Sequence, residues 1–176
     1  MELNNFEAKL FITDIDGVWT DGGMYYGSDG TEFKKFVTAD SAGVLLLKVL
    51  NIPVVIITGE ETVIVENRAN KLKIKYLYQG VSDKLSCAME IIKHFDYDLK
   101  SVAFIGDDLN DLALLEKVGL SACPQNAPDY IKERVMWVLP TKGGEGAFRY
   151  FVEQYLREKG ILEDVLRKIK IHFSNS

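Results

Sequence analysis

Leu10-Phe11-Ile12-Thr13-Asp14-Ile15-Asp16-Gly17 is the stretch that decides the fold of this chain. Its first four residues are mostly apolar and do not alternate with polar ones, which predicts a short strand buried on both faces. Two aspartates and a glycine come next, where that strand must end. In an open parallel sheet, ligands bind at the carboxyl ends of the strands. The stretch therefore predicts a buried strand that delivers carboxylates to a crevice.

Strand-like apolar runs alternate with helical patterns along the rest of the chain. After the first strand, further strands are predicted at residues 53–57, 74–78, 102–105, 120–123 and 136–139. Helices are predicted at residues 41–50, 60–72, 84–95, 112–118 and 161–173. Continuous apolar strands indicate that helices cover both faces of the sheet. We expect a single doubly wound α/β domain over residues 1–176, built on a parallel sheet.

One segment interrupts this alternation. Residues 16–40 lack a helical pattern, and Ser28-Asp29-Gly30 separates two runs rich in aromatic and β-branched residues. Because glycine accepts the positive φ of a tight turn, the segment predicts a β-hairpin inserted at about 18–38. An isolated hairpin is only marginally stable in water, so its aromatic side chains are expected to pack against another subunit. These aromatics are Trp19, Tyr25, Tyr26, Phe33 and Phe36.

Composition and charge narrow the classes of function. The formal net charge of −5 gives no electrostatic footprint for nucleic acid or for an anionic membrane. A phosphate site must then be built locally, from a cation, a lysine or backbone amides. No apolar run reaches membrane-spanning length, and the N-terminus lacks a basic region followed by an apolar one. We expect a cytoplasmic protein.

Four polar clusters are expected at one edge of the sheet. Asp14 to Gly17 comes after the first strand, Thr58-Gly59 after the second, and Gly106 to Asp111 after the fourth. Lys84 opens a helix that precedes the last of these clusters. Taken alone, three of these clusters have an ordinary explanation, namely an Asp-Gly turn for Asp14 to Gly17, a helix cap for Gly106 to Asp111, and a surface lysine paired with Asp83 for Lys84. Together and in this order they indicate one reaction site.

The residue types fit a site for a divalent metal ion. Asp14 and Asp16, two positions apart at a strand end, can direct both carboxylates into the crevice. Clustered carboxylates raise each other's pKa, and a divalent cation removes that cost. Asp107, with Asp108 or Asp111, completes a set of oxygen ligands suited to Mg²⁺.

The same clusters predict phosphoryl transfer. Lys84 supplies a positive charge near Asp14 and the transferring group. The hydroxyl of Thr58 and the backbone N–H of Gly59 can donate hydrogen bonds to phosphate oxygens. Asp14 is the predicted nucleophile, which forms an aspartyl phosphate. Asp16 is the predicted acid and base, which protonates the leaving alcohol and then takes a proton from water.

In this order the motifs resemble those of the haloacid dehalogenase-like phosphatases, and the resemblance covers nearly the whole chain. It implies that Mg²⁺ is held by Asp14, the backbone carbonyl of Asp16, and Asp107. The same resemblance assigns supporting places to Asp108, Asn110 and Asp111. Members often carry a cap domain, but the gaps between the motifs here hold only the hairpin and a helix–strand pair. The chain resembles the capless subclass, whose members commonly form tetramers in which a neighbour covers each site.

Within that family the chain resembles the phosphatases of 3-deoxy-D-manno-octulosonate 8-phosphate and of the nine-carbon 2-keto-3-deoxy-nonulosonate 9-phosphate. The residues that carry the likeness are Asp14-Ile15-Asp16-Gly17-Val18, Asp40-Ser41-Ala42-Gly43, and Gly143-Gly144-Glu145-Gly146-Ala147-Phe148-Arg149. The resemblance implies that the glycine-rich tail, with the last helix at about 141–176, acts as a flap that reaches toward a neighbouring active site.

Three further residues concern the sugar acid. The resemblance implies that Arg68 pairs with the substrate carboxylate, although a solvated helix face is the alternative for this residue. Glu60 with Lys71 matches the nine-carbon branch, which acts on a sialic-acid-like substrate. We therefore expect the nine-carbon phosphate, with the eight-carbon phosphate of lipopolysaccharide biosynthesis as the alternative.

Two other classes of function compete with a phosphatase. One is a catalytically idle tetramerisation module, of the kind fused to sugar-acid cytidylyltransferases. The intact set of Asp14, Asp16, Lys84 and Asp107 argues against it. The other is a phosphotransferase or mutase, which normally needs a cap to exclude water.

Overall fold

Eight strands occur in the computed structural model, which describes residue 3 and residues 6–174, with side chains as far as residue 171. In chain order they are β1 (Leu10–Thr13), β2 (Tyr25–Tyr26), β3 (Glu32–Phe33), β4 (Val54–Ile57), β5 (Tyr76–Tyr78), β6 (Val102–Ile105), β7 (Leu120–Cys123) and β8 (Trp137–Val138). Six of them form one parallel sheet in the order β5-β4-β1-β6-β7-β8. Strand β1 is central, so the loop after it lies at the middle of the sheet edge.

Helices cover both faces of this sheet. They are α1 (Asp40–Val49), α2 (Val63–Leu72), α3 (Lys84–Phe95), α4 (Leu112–Leu115), α5 (Asp129–Lys132), α6 (Ala147–Glu158) and α7 (Leu162–Ser174). Apolar residues of α1, α2, α6 and α7 belong to one core, and those of α3, α4 and α5 to the other. Alternate residues of β1 divide between the cores, because Phe11 enters the first while Leu10 and Ile12 enter the second. The doubly wound α/β prediction is confirmed.

Helix α6 lies where no helix is predicted from the sequence. Its buried side chains, Phe148, Phe151, Val152 and Tyr155, repeat at the spacing of an amphipathic helix. The glycines just before it favoured a loop, and residues 147–149 of the predicted flap form its first turn instead. The short helix α5 is likewise absent from the prediction, because a single turn leaves too little periodicity to detect.

The glycine-rich segment ahead of α6 packs on the loop after β1. Gly144 N–H donates to the carbonyl of Val18 at 3.1 Å. A Cβ at Gly143 would collide with the carbonyl oxygen of Gly17, so only glycine permits this approach of two backbones. Movement of this segment toward a neighbouring active site stays a prediction.

The hairpin is present but shorter than predicted, with β2 pairing antiparallel to β3 over two residue pairs. Tyr25, Tyr26 and Phe33 are exposed by 49%, 71% and 62%. Trp19 departs from the prediction that it faces another subunit. It is fully buried, stacks on Phe148 at 4.9 Å between ring centroids, and belongs to the domain core.

Phe36, another of the hairpin aromatics, is partly buried against the core, and the guanidinium of Arg68 lies 5.7 Å from its ring centroid. Only part of the predicted aromatic surface is therefore available to a partner. Within the described residues, no helix has both the length and the apolar character needed to cross a membrane.

Candidate active site

A cleft of about 320 Å³ opens at the carboxyl ends of β1, β4 and β6. Its walls come from three of the predicted clusters and from the start of the hairpin segment. The residues that line it are Asp14, Asp16, Gly17, Gly22, Thr58, Gly59, Glu60, Asp107, Asp108 and Asn110. Parallel strands bring these loops together because all of their carboxyl ends meet at one sheet edge.

Asp14 and Lys84 form a buried ion pair at the base of the cleft. Lys84 Nζ lies 3.0 Å from Asp14 Oδ1, and the lysine side chain is fully buried. Asp83 caps α3 by accepting the N–H of Ser86, which fixes the first turn that carries Lys84. Burial alone favours the neutral amine, but the carboxylates of Asp14 and Asp111 outweigh it and raise the pKa of Lys84. The ammonium is therefore a fixed positive charge beside Asp14.

Asp111 fixes the loop after β6 through hydrogen bonds that both of its carboxylate oxygens accept. Its Oδ1 accepts from Lys84 Nζ at 2.6 Å, and its Oδ2 accepts the backbone N–H groups of Asp107 and Asp108 at 2.9 and 3.1 Å. The residue is completely buried. A Cβ at Gly106 would crowd the Asp111 carboxyl, which explains the glycine that opens this loop. Asp111 is thus more central to the cluster than the supporting place predicted for it.

Asp107 faces Asp14 across the cleft with an unsatisfied oxygen. Its Oδ1 is buried and has no hydrogen-bond partner in the described part of the chain. A Cβ at Gly17 would collide with the Asp107 carboxyl, and Gly17 has a φ of +82°. Glycine at this position therefore lets the first loop approach Asp107 closely.

The acidic cluster fits a hard divalent cation. Carboxylate oxygens of Asp14, Asp107 and Asp111 all lie within 4.8 Å of one another. Burial and the nearby Asp111 raise the pKa of Asp14 to about 7, against the opposing effect of Lys84. Burial, followed by the charges of Asp14, Asp111 and Asp108, raises the pKa of Asp107 to about 8. A divalent ion among these oxygens would stabilise their ionised forms.

Asp16 lines the cleft but its side chain lies apart from that cluster. Its Oδ2 pairs with Lys34 Nζ at 2.6 Å, and its Oδ1 accepts from Thr20 Oγ1 at 3.3 Å. Neither Lys34 nor Thr20 is predicted from the sequence as a site residue. No local pattern could reveal Lys34, because the contact depends on how the hairpin folds back over 18 residues.

The loop after β4 forms the opposite wall. Thr58 is buried, and its backbone is fixed at both ends by hydrogen bonds to Tyr78 and Val81. A Cβ at Gly59 would lie 3.2 Å from Asn110 Nδ2, so the predicted phosphate-binding residue Gly59 lies beside Asn110, which is predicted only to support the site. Glu60 lines the cleft at its exposed edge.

Arg68 and Lys71 do not line this cleft. Arg68 donates to the carbonyl of Val37 at 3.2 Å, beside its contact with the Phe36 ring, and ties α2 to the end of the hairpin segment. Lys71 is exposed in the last turn of α2, whereas Glu60 precedes the first turn. A helix of ten residues is about 15 Å long, so Glu60 and Lys71 lie at opposite ends of it.

Comparisons with known proteins show the family of this chain. The haloacid dehalogenase-like hydrolase family matches residues 62–151. The 3-deoxy-D-manno-octulosonate 8-phosphate phosphatase of Yersinia pestis is 39% identical over 155 residues, which is 88% of this chain and 83% of the relative. The corresponding enzyme of Salmonella typhi is 38% identical over 89% of this chain and 83% of the relative.

Two solved structures of similar proteins contain a metal ion. The same phosphatase from Moraxella catarrhalis, solved with magnesium, phosphate and a KDO molecule, superposes with a TM-score of 0.88 at 33% identity, over 92% of this chain and 93% of that one. The cobalt-bound enzyme from Haemophilus influenzae gives a TM-score of 0.85 at 34% identity, over 92% and 94%.

Proposed function

We propose, since this chain belongs to the haloacid dehalogenase-like hydrolases, that it is a phosphatase acting on the terminal phosphate of a 3-deoxy-2-ulosonic sugar acid. The observation that carries the proposal is the buried Asp14 carboxylate, which contacts Lys84 and faces Asp107 at the base of an open cleft. A nucleophile, a fixed cation and an acidic metal site are the parts that phosphoryl transfer through an aspartyl phosphate requires.

The proposed reaction uses these side chains in two steps. An oxygen of Asp14 attacks phosphorus, the bond from phosphorus to the sugar oxygen breaks, and Asp16 gives its proton to that oxygen. Asp16 then takes a proton from a water molecule whose oxygen attacks the phosphorus. The bond between phosphorus and Asp14 breaks, which regenerates the carboxylate and releases inorganic phosphate. Lys84, Thr58 and the Gly59 N–H stabilise the charge on the phosphoryl oxygens.

Asp14, Asp107 and the backbone carbonyl of Asp16 would hold Mg²⁺. The buried, unpartnered Asp107 Oδ1 and the raised pKa values of Asp14 and Asp107 fit that assignment. When bound, the ion neutralises the clustered carboxylates and offsets negative charge on the phosphate. The chain's own part is to keep the ligands within reach of one another, with Asp111 fixing the backbone of the Asp107 loop.

The eight-carbon phosphate is the substrate that the relatives favour. The expectation of a nine-carbon substrate rested on Glu60 acting with Lys71, and Lys71 lies at the end of α2 away from the cleft. The relatives from Yersinia pestis and Salmonella typhi act, by name, on 3-deoxy-D-manno-octulosonate 8-phosphate. That substrate is therefore proposed in place of its nine-carbon counterpart.

Turnover with Mg²⁺ tests the proposal directly. The purified protein should hydrolyse p-nitrophenyl phosphate, and Asp14→Asn should abolish the reaction because it removes the nucleophile. No turnover with Mg²⁺, Mn²⁺ or Co²⁺ would favour the idle module instead. For the substrate, kcat/KM should be higher for the eight-carbon than for the nine-carbon phosphate by tenfold or more, about 1.4 kcal/mol.

Copies of the chain are proposed to associate through the hairpin and to cover each other's clefts. Tyr26 and Phe33 carry most of its exposed aromatic surface, at 71% and 62% exposure. A two-stranded ribbon of this length needs such packing to be stable. Light scattering of the wild type should give a tetramer, and Tyr26→Ser with Phe33→Ser should give a smaller species. A monomeric wild type would exclude this assembly.

A further inference from the structure

Lys34 contacts an acid of the cleft from the hairpin side. Its Nζ lies 2.6 Å from Asp16 Oδ2, and the Lys34 side chain is 0% exposed. Lysine is almost never fully buried unless its ammonium has a charged partner. Removing one member of a buried pair leaves the other uncompensated. The Lys34–Asp16 contact is therefore built into the fold and differs from the solvent-exposed ion pairs of the surface.

Both carboxylate oxygens of Asp16 are held by protein groups. Thr20 Oγ1 donates to Oδ1, while Lys34 holds Oδ2. Thr20 is itself fixed, because its Oγ1 accepts the backbone N–H groups of Gly17 and Gly22, each at 3.3 Å. The orientation of the carboxyl group is set from two sides, while 24% of the Asp16 side chain stays exposed at the cleft.

We infer that Lys34 is a positioning residue that aims the Asp16 carboxyl at the leaving oxygen and at the attacking water. This rests on the proposed acid–base role of Asp16. A general acid or base works only within hydrogen-bond reach of its proton, and a misplacement of 1 Å can cost about 10²-fold in rate. Lys34 does not line the cleft, so it acts through Asp16 and not on the substrate.

Lys34 reaches Asp16 from the position directly after β3 of the hairpin. Phe33 ends β3 and is 62% exposed, whereas the next residue, Lys34, is buried. The same short segment thus turns an aromatic ring outward and an ammonium toward Asp16. The position of the hairpin thereby controls the orientation of a proton-transferring group.

Lys34→Met tests the inference with two esters that differ in their leaving group. An alkyl phosphate such as the sugar-acid phosphate needs a proton on its leaving oxygen, so its kcat/KM should fall by about 10- to 100-fold. 2,4-Dinitrophenyl phosphate releases a phenolate that leaves without a proton. Its kcat/KM should fall by less than about threefold, since proton transfer contributes little to its cleavage.

Two matched variants serve as controls. Lys34→Arg keeps a cation, so its ratio of kcat/KM between the two esters should be close to that of the wild type. Lys35→Met changes the neighbouring lysine, which is 64% exposed and lies 3.7 Å from Asp21, and should leave the ratio unchanged. Thermal unfolding of each variant checks that it is folded. Should Lys34→Met not fold, Lys34→Leu applies the same test, since it also replaces the ammonium with an apolar group that cannot donate to Asp16.

The outcomes separate this inference from the proposed function. Equal losses on both esters in Lys34→Met would make Lys34 a merely structural residue. Asp16→Asn is the reference, because it should show the leaving-group dependence in full. If Asp16→Asn shows it and Lys34→Met does not, only the positioning role is wrong. If Asp16→Asn lacks it as well, the acid–base role of Asp16 itself is wrong.

Discussion

The sheet has a cavity at each end, equal in size and different in chemistry. The catalytic cleft lies at the carboxyl ends of the strands, and a second cavity, also of about 320 Å³, lies at the amino ends of β4 and β5. The residues that line the second cavity are Val44, Lys48, Asn51, Ile52, Pro53, Val54, Leu72, Lys73, Ile74, Lys75 and Tyr76.

The charged side chains at the base of the cleft are buried and paired, whereas those at the second cavity are exposed to solvent. In the cleft, Asp14 and Lys84 are buried and fixed by partners, and glycines allow backbone loops to approach them. In the second cavity, Lys48, Lys73 and Lys75 are exposed around largely apolar walls. Volume does not distinguish a reaction site, whereas buried and mutually constrained charges do.

The largest expected difference in stability is between two variants that replace one lysine at each end of the sheet with methionine. Lys84→Met leaves Asp14 and Asp111 buried without their cation, so the free energy of unfolding should fall by about 3–5 kcal/mol, with loss of activity. Lys75→Met, at the second cavity, should stay within about 0.5 kcal/mol of the wild type. Urea denaturation in EDTA measures the free energy of unfolding of both variants. Similar decreases in the two would contradict the distinction between the two ends.

Two glycines with nearly the same φ test whether the close packing of backbone on Asp107 is specific to the cleft. Gly17 and Gly30 have φ values of +82° and +84°, but a Cβ at Gly17 would meet the Asp107 carboxyl, whereas a Cβ at Gly30 would meet no atom of the described residues within 4 Å. Gly30→Ala should cost only the backbone strain, about 1–2 kcal/mol. Gly17→Ala should lower the free energy of unfolding by about 1–3 kcal/mol more, because its Cβ overpacks the site, and it should weaken Mg²⁺ binding. Calorimetric titration with Mg²⁺ reports the second effect, which Gly30→Ala should not show.

Asp40 tests whether a buried carboxylate outside the cleft can serve a structural role instead of a catalytic one. It is fully buried outside the cleft, where its Oδ1 accepts the N–H of Arg149 at 3.0 Å and so joins the start of α1 to that of α6. Burial raises the pKa of Asp40 to about 6, although the Arg149 N–H and Arg68 oppose the shift. Because this pKa lies above the unfolded value of 3.8, ionised Asp40 lowers stability.

The sign of that effect can be checked with Asp40→Asn. The penalty is absent below about pH 4, grows as the pH rises toward 6, and is complete above it. The stability of Asp40→Asn relative to the wild type should therefore rise by up to about 3 kcal/mol between pH 4 and pH 7. Any constant cost of burying the new amide cancels in this comparison. A difference that does not vary with pH would contradict the assignment.

The smallest expected effect concerns Arg68, which the sequence linked to the substrate carboxylate. If that role holds, Arg68→Ala raises KM for the sugar-acid phosphate by about tenfold, or 1.4 kcal/mol, and leaves p-nitrophenyl phosphate unaffected. The contacts of Arg68 with Phe36 and the Val37 carbonyl offer a structural role instead. Equal losses on both substrates would favour that role. Lys71→Ala, at the far end of the same helix, is the control.

Much of the site could be predicted because it depends on strand ends. The clusters after β1, β4 and β6 can be recognised as motifs, and parallel pairing alone brings such ends together. The sequence does not reveal Lys34 and Thr20 as site residues, because their contacts with Asp16 depend on how the hairpin and the loop after β1 fold against each other. Asp111 is predicted as a supporting residue or as an alternative to Asp108 among the oxygen ligands, but its burial and its two hydrogen bonds to the Asp107 loop cannot be read from spacing.

By itself, the sequence determined the α/β alternation, the order of the motifs and the acids that meet at one sheet edge, because these depend on local periodicity and chain direction. Only the tertiary structure decided which of those acids share a cluster, that Asp16 is turned toward Lys34, and that Arg68 and Lys71 lie outside the cleft. Such contacts depend on the packing of loops and helices, whose geometry is fixed by the whole fold and not by any single stretch of residues.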